Sequence, residues 1–172
     1  DDANSCGPVM SSVTITEPAV LSSSISSQTD VTCNGGNTGS TPVTGGAGTT
    51  AYTYLWSTGA TTATISDLSA GTYTVSIDDA NSCGPVMSSV TITEPSVLSS
   101  SISSQTDVTC NGGNNGSATV MGSGGTTAYT YLWSTGATTA TVSGLSAGTY
   151  TVSVDDANSC GPVMSSVTIT EP

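Results

Sequence analysis

Apolar positions along this chain recur at every second residue, in short runs broken by glycine, asparagine, aspartate and serine. In "VLSSSIS", Leu21, Ser23 and Ile25 fall on one face. In "GSTPVTG" Thr41 and Val43 share a face, as Ala118 and Val120 do in the later "GSATVMG". "AYTYLWS" puts Tyr52, Tyr54 and Trp56 on one side, with Thr53 and Leu55 on the other. "TTATIS" aligns Ala63 with Ile65, "GTYTVSID" aligns Tyr73, Val75 and Ile77, and "VMSSVTIT" aligns Val86, Val90 and Ile92. Alternation in residues rich in Thr, Val, Ile and Tyr predicts strands with one buried face. The polar stretches between them predict turns. No segment has helical spacing. Pro42 conflicts mildly with a central strand, because it has no N–H to donate, and is expected at an edge, a bulge or an outward-facing position.

The pattern repeats. "DDANSCGPVMSSVTITEP" stands at residues 1–18, 78–95 and 155–172, so the period is 77 residues. Residues 19–95 and 96–172 differ at ten of 77 positions, among them Thr41/Ala118 and Pro42/Thr119. A fixed period means stacked copies of one unit. Residues 1–18 then read as the last strand of a preceding, truncated repeat, expected to pack against a neighbour such as another copy of the chain. The whole reads as a window on a longer tandem array. Six or seven short strands per 77-residue unit predict an all-β fold of tandem immunoglobulin-like β-sandwiches. Two details sharpen this. "LSAGTYTV" matches the corner where a tyrosine hydroxyl bonds back to the backbone, which nominates Tyr73 and Tyr150. Trp56 and Trp133 sit on the most aromatic strand, where such sandwiches keep a core tryptophan.

Charge changes the picture next. The chain has twelve acidic residues and no Lys, Arg or His. It can form no side-chain salt bridge, and its carboxylates repel one another. Nucleic acid is excluded as a partner, since phosphate neutralisation needs Lys or Arg, and an anionic membrane surface is excluded on the same ground. No apolar run reaches the roughly 18 residues of a membrane span. Catalysis has little to work with: no His base, no Lys for a Schiff base and no Arg to clamp an anion. Adjacent carboxylates, Asp78–Asp79 and Asp155–Asp156, point to opposite faces of a strand and do not converge on one bond. The expectation is a protein that is not an enzyme.

Five cysteines become regular once the period is applied. Cys33 and Cys83 are 50 residues apart, as are Cys110 and Cys160, and Cys6 is the counterpart of Cys83. Disulfides Cys33–Cys83 and Cys110–Cys160 are expected, because a unit should close on itself, with the partner of Cys6 outside the window. The rival pairing uses the 27-residue spacing, Cys6–Cys33 and Cys83–Cys110, and would staple neighbouring units. Disulfides imply an oxidising, extracellular location. Zinc is disfavoured by the absence of CxxC spacing and of His.

"DDANSCG" is the most site-like stretch. Asp78, Asp79 and Asn81, and likewise Asp155, Asp156 and Asn158, offer oxygen ligands for Ca²⁺ near the end of each unit, with Glu94 or Asp107 as further candidates. The competing reading is an Asx-rich turn whose side chains cap their own backbone. No other cofactor is implied.

"AYTYLWSTGATTATISDLSAGTYTVSIDDANSC", followed by "SVTITEP" and opened by "VTCNGGNTGS", closely resembles the SprB-type repeat of long bacterial surface adhesins. The resemblance covers essentially the whole chain. It implies cell-surface proteins of gliding and related Bacteroidetes, exported by the type IX system and used in adhesion and surface motility. Ala51 stands where such repeats usually have Pro before "YTY", and "DDANSCGP" replaces the commoner "TDANGC".

The reading that follows is a non-enzymatic structural array of an extracellular adhesin or filament. It would give length, stiffness and protease resistance, and would assemble with neighbouring repeats and other copies of the chain. The alternative is a multivalent module in which each repeat weakly binds surface glycans or a substratum. An exposed aromatic patch, with Tyr52 and Tyr54 as candidates, would mark it.

Overall fold

The computed structural model describes residues 7 and 9–172. Every regular element among them is a β-strand. Between residues 19 and 95 these are β1 (Ser22–Ser24), β2 (Gly39–Pro42), β3 (Thr44–Gly46), β4 (Thr53–Trp56), β5 (Thr64–Leu68), β6 (Gly71–Asp78) and β7 (Val86–Ile92). Between residues 96 and 172 they are β8 (Ser99–Thr106), β9 (Gly116–Ser123), β10 (Thr130–Trp133), β11 (Thr141–Leu145), β12 (Gly148–Asp155) and β13 (Val163–Ile169).

The second unit shows the topology most simply. One antiparallel sheet has the order β11-β9-β8 and the other β10-β12-β13. In immunoglobulin lettering these are strands A, B and E facing C, F and G, with the outer strand D absent. Strand alternation supplies the core between the sheets. Trp133, Val152, Val154, Val167 and Ile169 come from one sheet, and Ala118, Val120, Val142 and Leu145 from the other, all buried. The first unit repeats this with Trp56, Val75, Ile77, Val90 and Ile92 against Val31, Val43, Ile65 and Leu68. Full burial of each such aliphatic side chain contributes roughly 1.5–3 kcal/mol.

The polar atoms of the aromatics are satisfied. Trp56 Nε1 donates to the Thr62 carbonyl at 2.9 Å, and Trp133 Nε1 to that of Thr139 at 3.0 Å. Tyr73 Oη donates to the Ser69 carbonyl at 3.0 Å, and Tyr150 Oη to Ser146 at 3.1 Å. Both tyrosines stand near the start of strand F and bond four residues back, which is the geometry of the tyrosine corner.

The two units differ where Pro42 replaces Thr119. In the second unit β9 runs unbroken for eight residues, between β8 and β11. In the first, the equivalent strand is interrupted after Pro42 into β2 and β3, and the β8 counterpart shrinks to the three residues of β1. A proline cannot donate to a ladder, so pairing fails on that side. Thr41 compensates. Its fully buried hydroxyl donates to the Ser27 carbonyl at 3.1 Å. The counterpart of Ser27 is Ser104, which pairs in register with Thr119. The second unit has Ala118 in place of Thr41 and needs no such donor.

Residues 9–18, the described part of the expected truncated strand, stand apart from their two copies. Their counterparts at 86–95 and 163–172 contribute β7 and β13, yet residues 9–18 form no strand. Val9, Met10, Val13 and Ile15 are almost fully exposed. The strand that would pair with this segment, the counterpart of β6 and β12, is not among the 172 residues.

Candidate functional site at the joint between units

Each sandwich has an entry end, where the chain arrives at Leu21 or Leu98, and an exit end at "TEP". The loop "DDANSCGP" lies at the entry end, between strands F and G. "DVTCNGGN" lies at the exit end, where Val31 N–H donates to the Thr93 carbonyl at 2.9 Å and Val108 N–H to that of Thr170 at 2.9 Å.

The entry loop is built by its aspartates. Asp79 is buried, and its Oδ1 accepts from the N–H groups of Asn81 at 3.0 Å and Cys83 at 2.9 Å. Its Oδ2 accepts from Thr49 N–H at 2.9 Å. Asp78 Oδ1 accepts from the N–H groups of Asp79 at 2.9 Å and Gly84 at 3.0 Å. Asp156 and Asp155 repeat the set with Asn158, Cys160, Thr126 and Gly161. These bonds hold the Asp79 and Asp156 carboxyls below their ordinary range. The N–H of Cys83 or Cys160 has the largest effect, then that of Thr49 or Thr126, against the opposing cost of burial. The residues nominated as calcium ligands thus meet at one loop, with their carboxylates directed at backbone donors, the geometry of an Asx-rich turn. No group of three or more metal-ligating side chains forms among the described residues.

The exit turn is braced by glutamate. Cys33 begins a tight turn closed by Gly36 N–H on the Cys33 carbonyl at 2.9 Å, with Gly35 at φ +73°. Positive φ at the third position of such a turn favours glycine. Glu94 accepts from Asn34 Nδ2 at 3.0 Å and from Gly35 N–H at 2.6 Å. Asp107, at the second exit end, accepts from Thr170 N–H at 2.8 Å.

The two ends meet through a covalent bond. Cys33 of the first unit is disulfide-bonded to Cys160 of the second, 127 residues later, with 5.4 Å between Cα atoms. Beside it Asn158 Nδ2 donates to the Thr32 carbonyl at 3.0 Å and to Thr126 Oγ1 at 3.1 Å. Cys83 and Cys110 are exposed thiols. Partial desolvation, with the charges of Asp79 and Asp78 nearby, pushes the Cys83 thiol above its ordinary value.

This overturns the expected Cys33–Cys83 and Cys110–Cys160 pairs. Cys33 and Cys83 lie at opposite ends of one sandwich. The eight residues of β6 span that distance, about 26 Å at the usual strand rise. A disulfide needs Cα atoms within about 7 Å. Cys110 and Cys160 are separated in the same way. The rival Cys83–Cys110 pair would join the outer ends of two units and fails more severely. Cys6 lies outside the described residues. Thr32, Thr49 and Thr126 were not nominated by sequence. Thr32 acts through its backbone carbonyl, which leaves no mark in side-chain chemistry.

A family model described as SprB repeat matches residues 25–61 and 102–138. The chain carries two SprB repeats. Each match runs from the A strand through the exit cysteine to the turn after the core tryptophan. No curated protein matches the chain. Among solved structures it is similar to one on Dscam isoform specificity, at 15% identity and TM-score 0.41, covering 91% of this chain and 47% of that one. It is also similar to the C-terminal 282-residue fragment of intimin in complex with the intimin-binding domain of its translocated receptor. There the identity is 15% and the TM-score 0.41, over 90% of this chain and 64% of that one. Domains 4 and 5 of the S-layer protein SbsC give 14% identity and TM-score 0.36, over 90% of this chain and 100% of that one. The chain therefore spans about half and about two thirds of the length of the first two.

Proposed function

We propose that this chain is part of an extracellular structural array, in which SprB repeats are clamped end to end into a stiff stalk or filament. The observation that carries this reading is the joint. A disulfide and the Asn158–Thr32 hydrogen bond hold the exit end of one sandwich against the entry end of the next. Disulfides persist in oxidising compartments, which supports a place outside the cytoplasm. Closing so long a loop contributes about 5 kcal/mol in the chain-entropy account. That is a large share of the ~5–15 kcal/mol typical of a small protein.

Lateral assembly has its own support. Leu55, Ser76 and Met87 form one cross-strand row on the outer face of β4-β6-β7, and both apolar members are exposed. Leu132, Ser153 and Met164 repeat the row in the second unit. An apolar stripe at fixed intervals is a surface that copies of the chain can share. The glycan-binding alternative gains no such support, since Tyr52, Tyr54, Tyr129 and Tyr131 are partly buried and packed against the cores.

Small-angle scattering of the full chain, oxidised and as Cys160→Ser, tests the clamped joint. The oxidised chain is expected to keep one fixed inter-unit distance. The variant is expected to show a broader distribution with a larger radius of gyration. Identical profiles would remove the joint as a stiffening device.

A further inference from the structure

The joint between the two units uses one face of each, and the chain carries a second copy of both faces. Cys110 is the counterpart of Cys33, and Cys83 is the counterpart of Cys160, each displaced by one 77-residue period. We propose that Cys110 and Cys83 are the open halves of the same joint, each taking a further copy of the unit. Every joint in an array of such units then carries a disulfide beside the peptide backbone. This rests on the array reading above and names its partner: another copy of this repeat, approaching end to end.

Three observations carry it. The scaffolds of the open and closed halves are the same. Gly113 N–H closes the Cys110 turn at 2.9 Å as Gly36 N–H closes the Cys33 turn. Asp79 Oδ1 holds Cys83 N–H at 2.9 Å, as Asp156 Oδ1 holds Cys160 N–H. Exposure differs as an open and a closed joint should: Cys83 and Cys110 are exposed, whereas Cys33 and Cys160 are half-buried. The polar partner is also waiting. Asn158 Nδ2 bonds both Thr126 in its own unit and Thr32 across the joint. Asn81 Nδ2 makes the own-unit bond, to Thr49 Oγ1 at 3.1 Å, with no cross-joint counterpart among the described residues.

Closing a joint removes two protons and two electrons from two thiols. A small disulfide oxidant accepts them and leaves as two thiols. Because the bonds 33–160 and 110–(160 of the next copy) overlap along the chain, a pull on the array is handed from bridge to bridge, and each unit is loaded between its own entry and exit cysteines.

The test uses added copies that are ¹⁵N-labelled and ligated on, because their cysteine peptides repeat the sequence of the original ones; the first chain is the full chain with one more copy of residues 96–172 appended. A second chain carries a copy of residues 19–77 in front of Asp1, which completes the unit ending at Pro18. Both are refolded with oxidised and reduced glutathione. They are digested with pepsin at low pH, where thiolate exchange is arrested, and mapped without reduction. The expected result is Cys110 bonded to the appended copy's counterpart of Cys160, and Cys83 bonded to the prepended copy's counterpart of Cys33. Cys33–Cys160 should be present in both. In Cys110→Ser of the appended chain, the new linkage should vanish while Cys33–Cys160 remains. Recovery of Cys33–Cys160 with Cys110 and Cys83 as thiols overturns this inference and leaves the two-unit joint standing. Recovery of Cys33 bonded elsewhere overturns the joint itself, and the proposed array with it.

Discussion

At the scale of single residues, Thr41 and Pro42 form a coupled pair. Removing the Thr41 hydroxyl leaves the Ser27 carbonyl without its side-chain donor, which costs about 1–3 kcal/mol for a buried group. Thr41→Ala is therefore expected to lower the denaturant midpoint of the first unit. Adding Pro42→Thr should recover most of the loss, because it restores the pair of residues the second unit carries as Ala118 and Thr119. Additive effects in that double-mutant cycle would contradict the coupling.

The aspartates set the acid limit. Asp30 is held below its ordinary range chiefly by the Thr93 N–H, as Asp79 and Asp156 are by the loop donors. A carboxyl whose folded pKa is depressed contributes stability that is complete above its unfolded value of about 3.9. That contribution is lost as pH falls through the lower folded value. Thermal melts should therefore fall steeply below about pH 4. Asp79→Asn and Asp156→Asn should flatten that limb while lowering stability at neutral pH. The loop's Asx chemistry was legible in "DDANSCG" as one of two readings. Which donors the carboxylates would meet was not, because Thr49 and Thr126 reach them from 30 residues away.

Among elements, period-2 patterning located the strands because each has one wet and one dry face. It could not foresee that β2 and β3 would separate, because alternation records burial and Pro42 acts through a missing N–H. Nor did it distinguish residues 9–18 from β7 and β13, which share the same sequence. Strand formation there depends on a neighbouring strand that no local pattern encodes. The close packing of the sheets at the exit end is equally silent in sequence. A Cβ on Gly39 would lie 2.7 Å from the Leu68 carbonyl oxygen and 2.7 Å from Ile92 Cγ2. On Gly116 it would lie 2.8 Å from the Leu145 carbonyl oxygen. Backbone oxygens in a ladder cannot step aside. Gly39→Ala and Gly116→Ala are each expected to destabilise their unit by about 1–3 kcal/mol, as overpacking does. A change below about 0.5 kcal/mol, the usual range for surface substitutions, would show that the sheets can open there.

For the whole molecule, the cysteines show why the sequence alone stopped short. With a 77-residue period, separations of 27, 50 and 127 all respect the repeat. The choice among them depends on which end of the sandwich each loop occupies. Topology decides this by placing strand F between the two cysteines of one unit.

Charge also acts at this scale. With a net charge of −12 and no cation, self-repulsion should weaken as the screening length falls from about 30 Å at 0.01 M salt to about 8 Å at 0.15 M. The melting temperature should rise over that range, and an unchanged value would mean the carboxylates are too far apart to interact.

The central claim, that a covalent bridge joins successive units and takes residues 34–159 out of the path of force, is tested most directly by pulling single molecules from their two ends. The Cys33–Cys160 bond removes 127 residue steps from that path, roughly 42–46 nm of extensible chain at 3.3–3.6 Å per residue. The oxidised chain should therefore reach its limit about 42–46 nm short of the reduced chain, with no full-length unfolding of either sandwich before it does. Equal final extensions with and without reductant would contradict the account.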